Sequence, residues 1–175
     1  AEEIAARRQR LDETLWAPEV EAQRHERRFV DLWDGILKAK RESKASVISD
    51  FRFKELSYAS DFTPQELGLG MRLWKSVSNF VSLDHKQWQA LVRSRAARGS
   101  LLEEAEFHHS EFHPATDSAP ARSTVSFLLH IQREEPAHRV VVRGKLQVGW
   151  DHAQRAGSAP RVDTIRVDDL SISER

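Results

Sequence analysis

The chain has no cysteine, which excludes thiolate catalysis, iron–sulfur clusters and disulfide staples. The compartment stays open, because many exported bacterial proteins lack the residue too. No apolar run approaches the ~18 to 20 residues of a membrane span, so no membrane insertion is expected. Neither charge is in excess, with 27 Lys plus Arg against 27 Asp plus Glu. No global field therefore favours nucleic acid or an anionic membrane, and no nucleic-acid partner is expected without a local patch. A glycine-rich phosphate loop, a G-x-S-x-G elbow and an HExxH helix are all missing, as is any internal repeat. What is left is a chain of 175 residues, long enough to bury one substantial core and cramped for two.

The first half reads as helix. Residues 1–16 are rich in Glu, Arg and Ala, with Ile4, Leu11 and Leu15 on a narrow stripe; they are expected to form a helical arm ahead of a single α+β domain over residues 17–175. Proline disfavours helix at the residue before it and suits the first turn of a new one, so a second helix is expected to begin near Pro18. Between residues 20 and 40, Val20, Ala22, Phe29, Trp33, Ile36 and Leu37 recur at three- and four-residue steps. This is the helix that a sheet is expected to enclose, with Trp33 buried in it. Residues 38–44 are polar and mostly basic, the pattern of a helix end and a turn.

Residues 45–57 change period, and Val47, Phe51 and Phe53 suggest an extended segment at a sheet edge. Thr63-Pro64-Gln65-Glu66 resembles a helix start, but Gly68 and Gly70 make the stretch to Val81 read as a loop with short pieces of structure. A helix follows over residues 82–98, with Asp84 as N-cap, Gln87 three residues on, a stripe of Trp88, Leu91 and Val92, and a stop at Gly99. Four period-two runs close the chain, at residues 101–114, 122–133, 138–152 and 161–173. Val125, Phe127, Leu129 and Ile131 form the clearest apolar face. In the third run Val140, Val142, Leu146, Val148 and Trp150 oppose the basic row Arg139, Arg143 and Lys145. Ile165 and Val167 fall out of phase with Leu170 and Ile172, which a bulge near Asp168 and Asp169 would correct. Turn residues at 116–120, 134–136 and 157–160 join the runs. Helices first and an antiparallel meander after them predict an α+β fold, N-terminal helices packed on a curved, mostly antiparallel sheet.

Chemistry has few candidates. On an undisturbed strand His109, Glu111 and His113 project to one side, an arrangement that offers imidazole and carboxylate to a metal. Their ~6 to 7 Å spacing closes on one ion only if the strand bends or another strand helps, so no tightly held metal and no cofactor is expected. The bland alternative is that these histidines line a half-polar sheet face. An acid/base site would set His109 or His130 beside Asp61 or Glu111 at the mouth of the cone. The tryptophans at 16, 33, 74, 88 and 150 either line a pocket or pack the core, the latter suiting Trp33 and Trp88 on their helix stripes. The row Arg139, Arg143 and Lys145 either attracts an anionic partner or is simply solvated.

The order of elements resembles that of the nuclear-transport-factor-2-like, or cystatin-like, α+β superfold, a cone with the last four strands in series. That fold hosts isomerases, dehydratases, binding domains and inert spacers, so it carries no function by itself. The strings TLWAPEVEAQRHE and VDLWD (residues 14–34), FRFKELS (51–57), and EFHHSEFHP with PARSTVSFLLHI (106–131) are similar to the N-terminal region of large bacterial, planctomycete-type proteins. The remainder of those proteins consists of FG-GAP/VCBS repeats and an ASPIC/UnbV domain related to cartilage acidic protein. The resemblance implies a non-catalytic accessory or interaction domain, exported to the periplasm or cell surface. Its partners would be downstream domains of the same polypeptide, or a second copy through the sheet. The start at Ala1 and the end just after a strand fit an excerpt or a processed form of a longer protein. The alternative is a small-molecule binder, or an isomerase- or dehydratase-like enzyme, using the open end of the cone with His109, His130 and Asp61 as its acid/base groups.

Overall fold

Helix α1 (Glu2–Lys38) turns one stripe inward, His25, Phe29, Leu32 and Ile36, at steps of four, three and four residues. This phase corrects the expected one. Leu32 takes a core position, Trp33 is only half-buried beside His108, and Val20 and Leu37 are exposed. The computed structural model describes residues 1–134, 137–152 and 158–175, with the side chains of residues 11–16 excepted. Ile4 is exposed, while Leu11, Leu15 and Trp16 lie outside the described side chains. The expected break before Pro18 does not occur, since α1 runs straight through it. One backbone donor is lost there, but Glu19, Glu21, Ala22 and Gln23 beyond it are good helix formers that carry the helix on. At its end the Lys44 ammonium donates to the Ile36 and Leu37 carbonyls at 2.6 and 3.2 Å. These are acceptors that a helix C-terminus leaves open.

A 3-10 turn (Arg41–Ser43) leads into α2 (Lys44–Asp50). The extended segment expected from residue 45 therefore starts only at Phe51; Ala45, Val47 and Ile48 instead pack from a helix against the core. A run that short holds too little period to separate helix from strand. The larger correction follows it. In place of a loop, β1 (Glu55–Gly68) and β2 (Met71–Leu83) form a long antiparallel hairpin. Gly68, Leu69 and Gly70, all at positive φ, make its tip, and glycine on either side of Leu69 takes that conformation at little cost.

Helix α3 (His85–Ala97) starts as expected. The Asp84 carboxylate accepts from the Gln87 N–H at 2.8 Å and the Gln87 side chain accepts from the Asp84 N–H at 2.8 Å, a reciprocal cap. Two more of its side chains tie α3 to the end of α2. His85 Nε2 donates to the Ser49 carbonyl at 3.0 Å, and Trp88 Nε1 to that of Ile48 at 3.2 Å.

Strands β3 (Ser100–His113), β4 (Arg122–Arg133), β5 (His138–Trp150) and β6 (Val162–Glu174) form the meander that the alternation predicts. The sheet order is β1-β2-β6-β5-β4-β3, and all pairs are antiparallel except a short parallel contact of Glu55–Ser57 with Thr164–Arg166. The hairpin is thus anchored to β6 twice, through the start of β1 and through Arg72–Lys75 of β2. The expected bulge is present in β6. Register shifts opposite Gly144, and Asp169 adopts φ 51. Gly144 lets it close: a Cβ there would lie 2.9 Å from the Asp168 carbonyl oxygen and 3.0 Å from the Phe127 ring. The whole is an α+β fold, helices packed on a curved, unclosed, mostly antiparallel sheet, with the strand order of the expected cone.

Candidate functional site

The sequence offered three acid/base candidates, and the fold does not bring them together. Asp61 sits exposed on the hairpin, where it accepts from Ser78 Oγ at 3.2 Å and from the Asn79 amide. His130 is half-buried on β4, in register with Glu104 and Val141. It alternates with Leu129 and Ile131, which line the interior, and so lies on the other face of the sheet.

His109 does point inward, but into a closed network. It pairs in register with fully buried Val125, and its Nε2 lies 2.8 Å from Ser123 Oγ, in hydrogen-bond contact. The same hydroxyl accepts from Trp150 Nε1 at 2.8 Å. Phe112 stands beside both His109 and His25, with ring centroids 5.9 and 4.6 Å away, and His25 meets Trp150 edge-on at 4.8 Å. His25 Nδ1 donates to the Glu21 carbonyl at 2.6 Å. Burial pushes both imidazoles below their ordinary pKa, against the opposing pull of the Glu21 contacts on His25 and of the Glu26 charge on His109. With Ser123 buried as well, this arrangement clamps α1 to the sheet as neutral groups.

The metal geometry fails for a local reason. A bulge at Ser110 separates His109, opposite Val125, from Glu111, opposite Thr124. The extra residue turns Glu111 and His113 to the outside, where they meet each other at 3.8 Å, while His109 stays inside. Among the described residues no three His, Cys, Asp or Glu side chains are grouped to hold an ion.

The distinctive feature of the interior is a cavity of about 520 Å³ between the sheet and the helices. Phe29 and Leu32 of α1, Ile48 of α2, Trp88, Leu91 and Val92 of α3, and Phe127, Leu129 and Ile131 of β4 contribute to its wall. Trp33 is not in it. The extended link brings in Phe51 and Phe53, and the Arg28 guanidinium lies over the Phe51 ring, 5.7 Å from its centroid. Alternation along β1 turns Leu56, Tyr58, Ser60 and Phe62 toward the same space. The wall holds few polar groups among the described residues: Tyr58, Ser60, Ser100 and Arg95. Ser60 Oγ is committed to the Asn79 carbonyl, at 3.0 Å.

No protein-family model matches the chain, and no curated protein does.

Sequence reasoning missed Ser123 and His25, and it left open whether the cone holds a pocket or a filled interior. Ser123 belongs to the same alternation as Val125 and Phe127, so a polar residue on an apolar face was the available signal; buried hydroxyls need partners, and His109 and Trp150 supply them. The residues that line the cavity carried no such signal, because its wall is assembled from seven or more separate stretches of chain.

Proposed function

We propose that this chain is a non-catalytic binding domain that holds a hydrophobic small molecule between its sheet and helices α2 and α3. The observation that carries the reading is the wall of the 520 Å³ cavity, apolar almost throughout and large enough for a drug-sized molecule. Such a wall gains affinity by removing apolar ligand surface from water. It does not concentrate the acid and base groups that proton transfer requires, and Asp61, His109 and His130 are dispersed. Titration with N-phenyl-1-naphthylamine, a neutral probe that fluoresces on leaving water, tests the reading. The expected result is saturable binding of one equivalent, weakened at least ten-fold by Val92→Trp, which fills the cavity, in a variant whose circular dichroism is unchanged. Unsaturable binding, or equal binding by that variant, would remove the proposal.

The accessory role within a larger exported bacterial protein remains part of this proposal, on the strength of the sequence strings alone. A second copy as partner has one supporting observation on the outer face of the sheet. Register places the exposed row Glu104, Glu106 and Glu111 of β3 on one side of β4, and Arg139, Arg143 and Lys145 of β5 on the other. A two-fold axis along β4 sets each acidic row against a basic one. Sedimentation would then show a dimer that dissociates as salt rises; a monomer at low salt and high concentration would exclude it.

A further inference from the structure

Helix α3 faces the cavity with Trp88, Leu91, Val92, Arg95 and Ala96, successive positions of a single stripe at three- and four-residue steps. The stripe is apolar except for Arg95. The favourable pull of the helix C-terminus accounts for a cation in that last turn, where Arg95 is the basic residue, but not for its place in the cavity wall, which neither Arg93 nor Arg98 joins. Arg95 is the one charged residue in the wall among the described residues. Its guanidinium makes no ion pair or hydrogen bond within the described part of the chain, and no carboxylate joins it in the lining. Arg95 and Ala96 are exposed, so this end of the stripe forms the rim of the cavity. An arginine placed there lays its methylenes along the apolar wall and keeps its five donors at the water boundary.

We infer that the ligand of this cavity is an anionic amphiphile, an apolar body with a carboxylate, sulfonate or phosphate head that Arg95 pairs at the rim. The inference rests on the reading of the cavity as a binding site. A neutral apolar molecule would leave Arg95 idle, whereas an anionic head gains charge-assisted hydrogen bonds from a guanidinium shaped for oxyanions. A cationic ligand is disfavoured at the same point. Because the rim is wet, the gain is modest, and it shows as a preference between otherwise matched ligands rather than as the bulk of the affinity.

The test uses two probes with a common skeleton, N-phenyl-1-naphthylamine and its sulfonate 8-anilinonaphthalene-1-sulfonate, titrated into the whole chain at low and at high salt. The expected result is a preference for the sulfonate of about three- to ten-fold at low salt, reduced as salt rises. In Arg95→Gln the preference disappears while the neutral probe binds as before; Arg95→Lys retains part of it, and Arg93→Gln, off the stripe, retains all. If the neutral probe binds and the sulfonate gains nothing, or if the gain survives Arg95→Gln, the assignment of Arg95 is wrong and the cavity reading stands. If neither probe binds, the cavity reading itself fails.

Discussion

The meander β3–β6 and the hairpin β1–β2 belong to one sheet, yet only the meander was visible in the sequence. In β4, Ser123, Val125, Phe127, Leu129 and Ile131 face helices and cavity, while the residues between them face outward. One covered face forces one apolar period. The hairpin has such a face only near its base. On β1 the residues past Phe62, the last to line the cavity, are exposed; on β2 Val77 and Phe80 are each 59% exposed, and Leu69 at the tip is 96% exposed. A strand wet on both faces has no reason to alternate. Its bulge between Asp61 and Phe62 and the left-handed Asn79 scramble what period remained. The hairpin is held by its ladder, by two anchors on β6, and by side chains such as Ser76, which donates to the Ala59 carbonyl at 2.6 Å. What distinguishes the regions is which interactions pin them: burial for the meander, backbone pairing for the hairpin.

This difference can be broken by mutation. The largest effect is expected at Phe29, 1% exposed and in ring contact with Phe51, Phe107 and Trp150. Phe29→Ala should cost about 3 to 5 kcal/mol in a urea melt; a loss near 1 kcal/mol would mean that α1 does not close the core. Half-buried Trp33 should lose less than Phe29 in the same measurement.

Next comes Gly144, where the bulged β6 and the Phe127 ring leave no room for a Cβ. Gly144→Ala is expected to destabilise by roughly 1 to 3 kcal/mol, visible as a lower urea midpoint. No change would show that the bulge relaxes freely.

A smaller effect follows acid. Because burial holds His25 and His109 below their ordinary value of about 6.5, the unfolded chain takes up these protons first. Their contribution is complete above about pH 6.5 and is lost as pH falls through that value toward the lower folded pKa of each. Melts between pH 8 and 5 should show the decline, and His25→Phe should flatten it; a parallel decline in that variant would assign the effect elsewhere.

The smallest effect belongs to the hairpin. Phe80→Ser at its exposed position should shift stability by no more than about 0.5 kcal/mol, and a loss above 2 kcal/mol would reveal a packed face.

The helices were legible to the extent that their ends carried chemistry. Asp84 and Gln87 announce α3 because a cap needs those side chains at that spacing. Pro18 misled because its cost is local, and the good helix formers around it carry α1 through. The phase of α1 misled because Trp33 and Leu37 are apolar yet lie off the buried stripe, while the polar His25 belongs to it. At the site, a strand written on paper puts His109, Glu111 and His113 on one face; Ser110 is an unpaired residue, and no local pattern marked it as such. Arg95 was hidden because a charged residue at the end of an apolar stripe reads as the helix returning to solvent.

Among the described residues the cavity wall and the exposed hairpin both offer apolar surface to a ligand, and the proposed function names the first. Methyl and aromatic chemical-shift mapping with N-phenyl-1-naphthylamine separates them directly. Shifts concentrated on Leu91, Val92, Phe127, Leu129 and Ile131, with Leu67, Leu69, Val77 and Phe80 unmoved, are the predicted result. Shifts confined to the hairpin, or none at saturating probe, would contradict the account.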